Sequence, residues 1–181
     1  MDTLRVVPLL VLTLGTLALA HGAGSGADLR GARLCLDSSS VQLRFHDIPA
    51  ARQHKARTLK NTLHTTLTSA LKHAGVPYET RTACQKNLAY TQLLTDVRYL
   101  NPKNYQGFGD PAYSYSLRVT VGSSAVTAAA QRGARTKIHY ASVLNDIHSE
   151  ARTKQSFEQF LGALGREQSR HLVLAWRKHN P

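Results

Sequence analysis

The sequence predicts an α+β (or mixed α/β) fold, a single domain in which a three- to four-stranded sheet is covered by about three helices. Three patterns carry that expectation. Tyr113, Tyr115, Leu117, Val119 and Val121 alternate with Ser114, Ser116, Arg118 and Thr120, the period of a half-buried strand. Leu59, Leu63, Leu67 and Leu71 recur at every fourth position and draw one apolar stripe along a helix. Towards the C-terminus Phe157, Phe160, Leu161, Leu164, Leu172, Ala175 and Trp176 again follow helical spacing.

Taken in order, Val41, Leu43 and Phe45 alternate with Gln42 and Arg44 and predict the first strand. Asp47-Ile48-Pro49 opens a helix, with Pro49 suited to its first position. Ala56, Ala70 and Ala74 extend its Leu stripe, Gly75 closes it and Pro77 prevents its continuation. A short extended segment follows, Tyr78 to Thr82. A second helix is predicted from Lys86 to Tyr99, with Leu93, Leu94, Val97 and Leu100 on its inner side and Asn101-Pro102 at its end.

An irregular loop rich in Asn, Gly and Pro runs from Asn101 to Pro111 and leads into the strand around Tyr113 to Val121. Ser123 to Arg135 reads as a long connection containing the Arg132-Gly133 turn signal. Lys137 to Leu144 is the returning strand, and Asn145-Asp146 is expected to end it. Ser156 and Gln159 fit a capping box at the start of the last helix. Gly162 and Gly165 weaken that helix by about 1 kcal/mol each relative to Ala. The expected order is β-α-β-α-β-β-α.

The N-terminus sets the compartment. Arg5 precedes an apolar run from Val6 to Leu19, and Ala18-Leu19-Ala20 supplies the small-x-small pattern of a cleaved export signal. The run is shorter than the about 20 residues of a comfortable bilayer span. Residues 1–20 are therefore read as a signal peptide, 21–34 as a Gly/Ala-rich flexible leader, and 35–181 as the domain. The product is expected to be secreted or periplasmic after cleavage near Ala20, without a stable membrane span. In that compartment Cys35 and Cys84, the two cysteines, are expected to form a disulfide. Closing a loop of about fifty residues stabilises by about 4 kcal/mol on the chain-entropy relation.

The formal net charge is +12. Outside the cytoplasm a basic surface attracts cell-wall polymers, lipid headgroups or nucleic acid, in a salt-dependent way. The charge is concentrated: Pro49 to Tyr78 contains no acidic residue but carries Arg52, Lys55, Arg57, Lys60 and Lys72 beside His54, His64 and His73. A helix buried along its Leu stripe then shows a basic outer side. A second candidate is the loop pair Tyr105 and Phe108, placed to stack on a partner, within the cluster Tyr99, Tyr105, Phe108, Tyr113 and Tyr115. The ligand-binding candidates are Arg52, Lys55, Arg57, Lys60, Tyr105 and Phe108.

Chemistry finds less support. The nine histidines include no pair three or four residues apart, so a helical two-His metal site is missing, and no metal or cofactor is expected. Ser25 fails the nucleophile-elbow pattern because Ala23 and Ala27 stand where glycines belong. Gly107-Phe108-Gly109 precedes a strand, the wrong context for a dinucleotide fingerprint. Asp146, His148 and Glu150 are the one local acid–base grouping.

The expected function is an exported, non-enzymatic basic binding module at the cell envelope or outside it. Its partner is an anionic envelope polymer, nucleic acid or an envelope protein. The alternatives are a small secreted hydrolase built on Asp146, His148 and Glu150, and a structural secreted subunit with an apolar surface patch. The order of export signal, Leu-striped helix ending in Gly75-Val76 and later strand pair resembles small periplasmic α/β domains of envelope-assembly proteins. The resemblance is one of organisation and implies a fold, with no site residue attached.

Overall fold

A computed structural model describes residues 28–50, 56–85, 87–105, 108–123 and 137–181. Its elements are β1 Leu34–Leu36, β2 Val41–His46, α1 Ala56–His73, β3 Tyr78–Thr80, β4 Ala89–Leu100, β5 Ala112–Gly122, β6 Ile138–His148, α2 Glu150–Thr153 and α3 Phe157–His179. The architecture is mixed α+β, as the patterning predicts, but the sheet has six strands. They lie in the order β3-β1-β4-β5-β6, with β2 also paired to β4.

The strands β1 and β2 occupy successive stretches of one side of β4, both parallel to it. Leu34 and Cys35 pair Ala89 and Tyr90, and Val41 through His46 pair Leu93 through Arg98. The two behave as one strand interrupted by a turn at 37–40, where Asp37 N–H donates to Ser40 Oγ at 2.8 Å and Ser40 N–H to the Asp37 carbonyl at 3.0 Å. From β4 the chain continues as an antiparallel meander, Leu93 opposite Val119 and Leu117 opposite Leu144.

Two elements depart from the sequence reading. The helix expected over 86–99 is instead the central strand β4. Leu93, Leu94, Val97 and Leu100 satisfy helical spacing, yet the buried side alternates through Thr91, Leu93, Thr95 and Val97, with two hydroxyl residues hiding the period. Residues Tyr90, Thr91, Thr95, Val97 and Tyr99 are also strand formers by shape. The return strand continues past Leu144 to His148 because Asn145 and Asp146 pair Ser116 and Tyr115 instead of turning. The order β-α-β-α-β-β-α and the three- to four-strand count are accordingly replaced.

Other expectations hold. Gly75, at φ 69°, ends α1 and lets Val76 N–H reach the Leu71 carbonyl at 3.0 Å, a Schellman closure. Ser156 caps α3 with the reciprocal Gln159 contact of a capping box. Cys35 and Cys84 form a disulfide with Cα atoms 5.8 Å apart, tying β1 to the segment before β4. Part of the expected leader is built into the domain: Leu29 is fully buried and Asp28 N–H donates to the His139 carbonyl at 2.9 Å. Residues 1–20, expected to be an export signal, residues 21–27, Arg52 and Lys55 fall outside the described residues.

The helices α1 and α3 pack against one another and against the same side of the sheet. Leu59, Leu63, Leu67 and Leu71 from α1 and Phe157, Leu161, Leu172 and Val173 from α3 meet Leu93, Val97, Leu117, Val119 and Val121 in one core. The opposite side of the sheet carries the even-numbered residues of β2, β4 and β5, among them Arg44, Asp96, Arg98 and Arg118, which are half-buried or exposed.

Candidate functional site

Of the basic residues singled out on the first helix, Arg57 and Lys60 are described, and both are exposed on α1. Their spacing of three, continued by His64 four residues on, puts them along one flank of the helix, away from the Leu stripe. Lys60 Nζ reaches the Ser38 carbonyl at 3.4 Å, so this flank borders the turn between β1 and β2. Neither Arg57 nor Lys60 has a carboxylate partner among the described residues.

Sequence reasoning missed the contribution of α3. Its buried line of Phe157, Leu161, Gly165, Gln168 and Leu172 leaves Arg166 and Arg170 exposed on an outer flank. The Arg166 guanidinium lies at the seam of the two helices: Arg166 Nη1 and Thr62 Cγ2 stand 3.9 and 4.0 Å from the point a Cβ on Gly162 would occupy. The signal was present in the i, i+4 spacing of Arg166 and Arg170, off the line of the apolar residues. Lys72 extends the exposed basic set at the far end of α1.

The described ion pairs lie elsewhere. Asp28 pairs Arg30 at 3.0 Å, and Glu79 serves both Arg33, at 2.9 Å, and Arg81. Asp96 stands 4.0 Å from Arg44 and 3.7 Å from His46, and Asp47 stands 3.5 Å from Arg98. Carboxylates therefore offset arginines around the sheet, while Arg57, Lys60, Lys72, Arg166 and Arg170 are exposed on the helix layer with no ion pair among the described residues, beside the half-buried Glu158 and Glu167 of α3. Exposed cations without counter-charges are what a polyanion meets first.

On the other side of the sheet His46, Asp96, Val97, Arg98, Ser114, Tyr115 and Ser116 line a shallow groove of about 320 Å³. Its one arginine, Arg98, and its histidine, His46, are already engaged by Asp47 and Asp96, which leaves it a weak anion site.

The remaining sequence candidates separate. Tyr105 and Phe108 are both half-buried, and Phe108 N–H donates to the Tyr105 carbonyl at 3.4 Å. No hydrogen bond or ion pair joins either to Arg57 or Lys60 among the described residues. Tyr113 and Tyr115 belong to the core: Tyr113 stacks on Phe157 at 4.3 Å and Tyr115 meets Phe160 edge-on at 5.3 Å.

The trio Asp146, His148 and Glu150 is not gathered into a catalytic arrangement. His148 is 1% exposed, stacks on Phe160 at 4.1 Å and has its Nε2 3.1 Å from the Gln155 carbonyl. Asp146 is exposed and accepts from the adjacent Ile147 N–H, while Glu150 Oε1 accepts from Phe157 N–H at 2.9 Å. Each group has a structural task at the junction of β6, α2 and α3. No group of three or more potential metal-ligating side chains is found among the described residues.

The most strongly built polar contact lies at the turn between β1 and β2. Tyr90 Oη donates to Asp37 Oδ1 at 2.6 Å, and Ser39 N–H donates to the same oxygen at 2.8 Å. Burial pushes the Asp37 carboxyl up, but these hydrogen bonds and the Cys84 backbone outweigh it and hold the group below its ordinary range. Burial, reinforced by Asp37, pushes the Tyr90 hydroxyl up to about 12. This is a positioning device for the turn that Lys60 touches.

A disulfide, together with the finding that no described helix is long and apolar enough to cross a membrane, is compatible with an envelope or extracellular location. No protein-family model matches the chain, and no curated protein matches it. Among solved structures it is similar to a variant PelC dodecamer from Paraburkholderia phytofirmans, at 10% identity and a TM-score of 0.35, covering 80% of this chain and 89% of that one. It is also similar to a minor lipoprotein from Acinetobacter baumannii, at 14% identity and a TM-score of 0.31, covering 75% of this chain and 93% of that one. Scores this low leave both likenesses without weight for fold or function.

Proposed function

We propose that the chain is an exported, non-enzymatic binding module that holds an anionic polymer at the cell envelope or outside the cell, through the outer surface of its helix layer. The carrying observation is the separation of charge. Arg57, Lys60, Arg166 and Arg170 are exposed on α1 and α3 without carboxylate partners among the described residues, while the ion-paired arginines surround the sheet. Thr58, Asn61 and Thr65, exposed on α1, add hydroxyl and amide groups whose N–H and O–H can donate to phosphate or carboxylate oxygens.

The test is co-sedimentation of the purified protein with cell-wall sacculi and, separately, binding to duplex DNA, each at low and moderate salt. The proposal expects binding to at least one polymer that weakens as salt rises. Binding to neither at low salt removes it.

A further inference from the structure

We propose that the β6 edge is a self-association surface, where a second copy of this chain adds its own β6 antiparallel to the first and joins two sheets into one. This inference does not depend on what the helix layer binds.

Among the described residues three strands pair with another strand on one side only, β2, β3 and β6, and on β6 the Asp28 N–H reaches the His139 carbonyl at the start of the strand. Two of these edges are guarded. β3 is three residues long, with Glu79 held between Arg33 and Arg81. β2 is six residues long and exposes Arg44 and His46. β6 differs in length: it runs eleven residues, Ile138–His148, without Pro, Lys or Arg and with Asp146 as its one carboxylate. A long edge without such guards is a template for another strand.

The side chains of β6 also point to a matched copy. The register sets Ile138, Ala141, Val143 and Ile147 opposite Gly122, Thr120, Arg118 and Ser114, on the side of the sheet away from α1 and α3. With Asn145 between Val143 and Ile147, they form a mostly apolar row along the edge, with Ile138 43% and Ile147 49% exposed. Antiparallel pairing lays this row beside its own repeat. Charge favours that direction too. Lys137 and His139 stand at the start of the strand and Asp146 near its end, so antiparallel alignment brings the basic start of one copy to the acidic end of the other. Parallel alignment sets like against like.

The two-fold axis of such a pair is perpendicular to the sheet, so both helix layers remain on the same side. Two basic surfaces then face one direction, and a polymer long enough to span both is held with avidity.

The test is sedimentation velocity of the full chain over about 1–100 μM, the range in which a small strand-edge interface is populated. A monomer–dimer equilibrium is expected. Val143→Lys with Ile147→Lys should weaken it about tenfold or more, with the monomer's circular dichroism unchanged because both positions lie on the edge. Asp146→Lys should weaken it as well, and adding Lys137→Asp in the same chain should restore it. A monomer throughout, a dimer indifferent to the double lysine variant, or failure of the charge swap to restore pairing would each overturn the proposal.

Discussion

Leu63 of α1 occupies the space in which a side chain on Gly165 of α3 would begin: its Cδ2 lies 2.6 Å from where that Cβ would stand. The two helices close on each other because α3 has no side chain at this point. Gly165 therefore serves close packing, and the helix propensity it sacrifices is offset by contact with a fully buried leucine.

The consequence is a pair of opposite substitutions. Gly165→Ala should destabilise by about 1–3 kcal/mol, because overpacking exceeds the about 1 kcal/mol gained in propensity. Gly162→Ala, whose nearest neighbours stand at 3.9 and 4.0 Å, should stabilise by about 0.5–1 kcal/mol. Urea unfolding of both variants checks this, and equal signs would contradict the packing account.

The Asp37–Tyr90 contact predicts a pH signature. Asp37 is depressed, so its contribution is present above its unfolded value of about 4 and is lost as pH falls through the lower folded value. Tyr90 is raised, so its contribution is complete below about 10 and is lost as pH rises through about 12. Tyr90→Phe should cost about 1–2 kcal/mol at pH 7. The difference from the unsubstituted protein should shrink at both extremes, as read by unfolding free energy against pH.

Cys35 and Cys84 are separated by 49 positions. Replacing both by Ser should lower stability by about 4 kcal/mol, and chemical reduction of the native protein should match that loss. Equilibrium unfolding with and without reductant makes the comparison.

The helix-layer core was legible because its residues repeat without interruption: Leu59 to Leu71, and Phe157 to Trp176 behind a capping box. The central strand was not. Thr91 and Thr95 take buried positions where an apolar residue would have announced alternation, and Leu94 lies on the opposite side, completing a false helical spacing. β1, with three residues between Arg33 and Asp37, is too short to show a period. Only tertiary pairing with β3 and β4 defines it. At the candidate site Arg57 and Lys60 were visible as part of an acid-free run. Arg166 and Arg170 join them only because the fold sets α3 beside α1, a relation that no local pattern contains.

The decisive comparison sets the native protein against the variant Arg57→Gln, Lys60→Gln, Arg166→Gln, Arg170→Gln in polymer binding across a salt series. If the helix layer is the binding surface, the variant should bind more weakly, and on duplex DNA its log–log salt slope should fall by about 0.9 for each phosphate no longer neutralised. Unchanged affinity and slope in a folded variant would contradict the proposed surface and place binding elsewhere on the molecule.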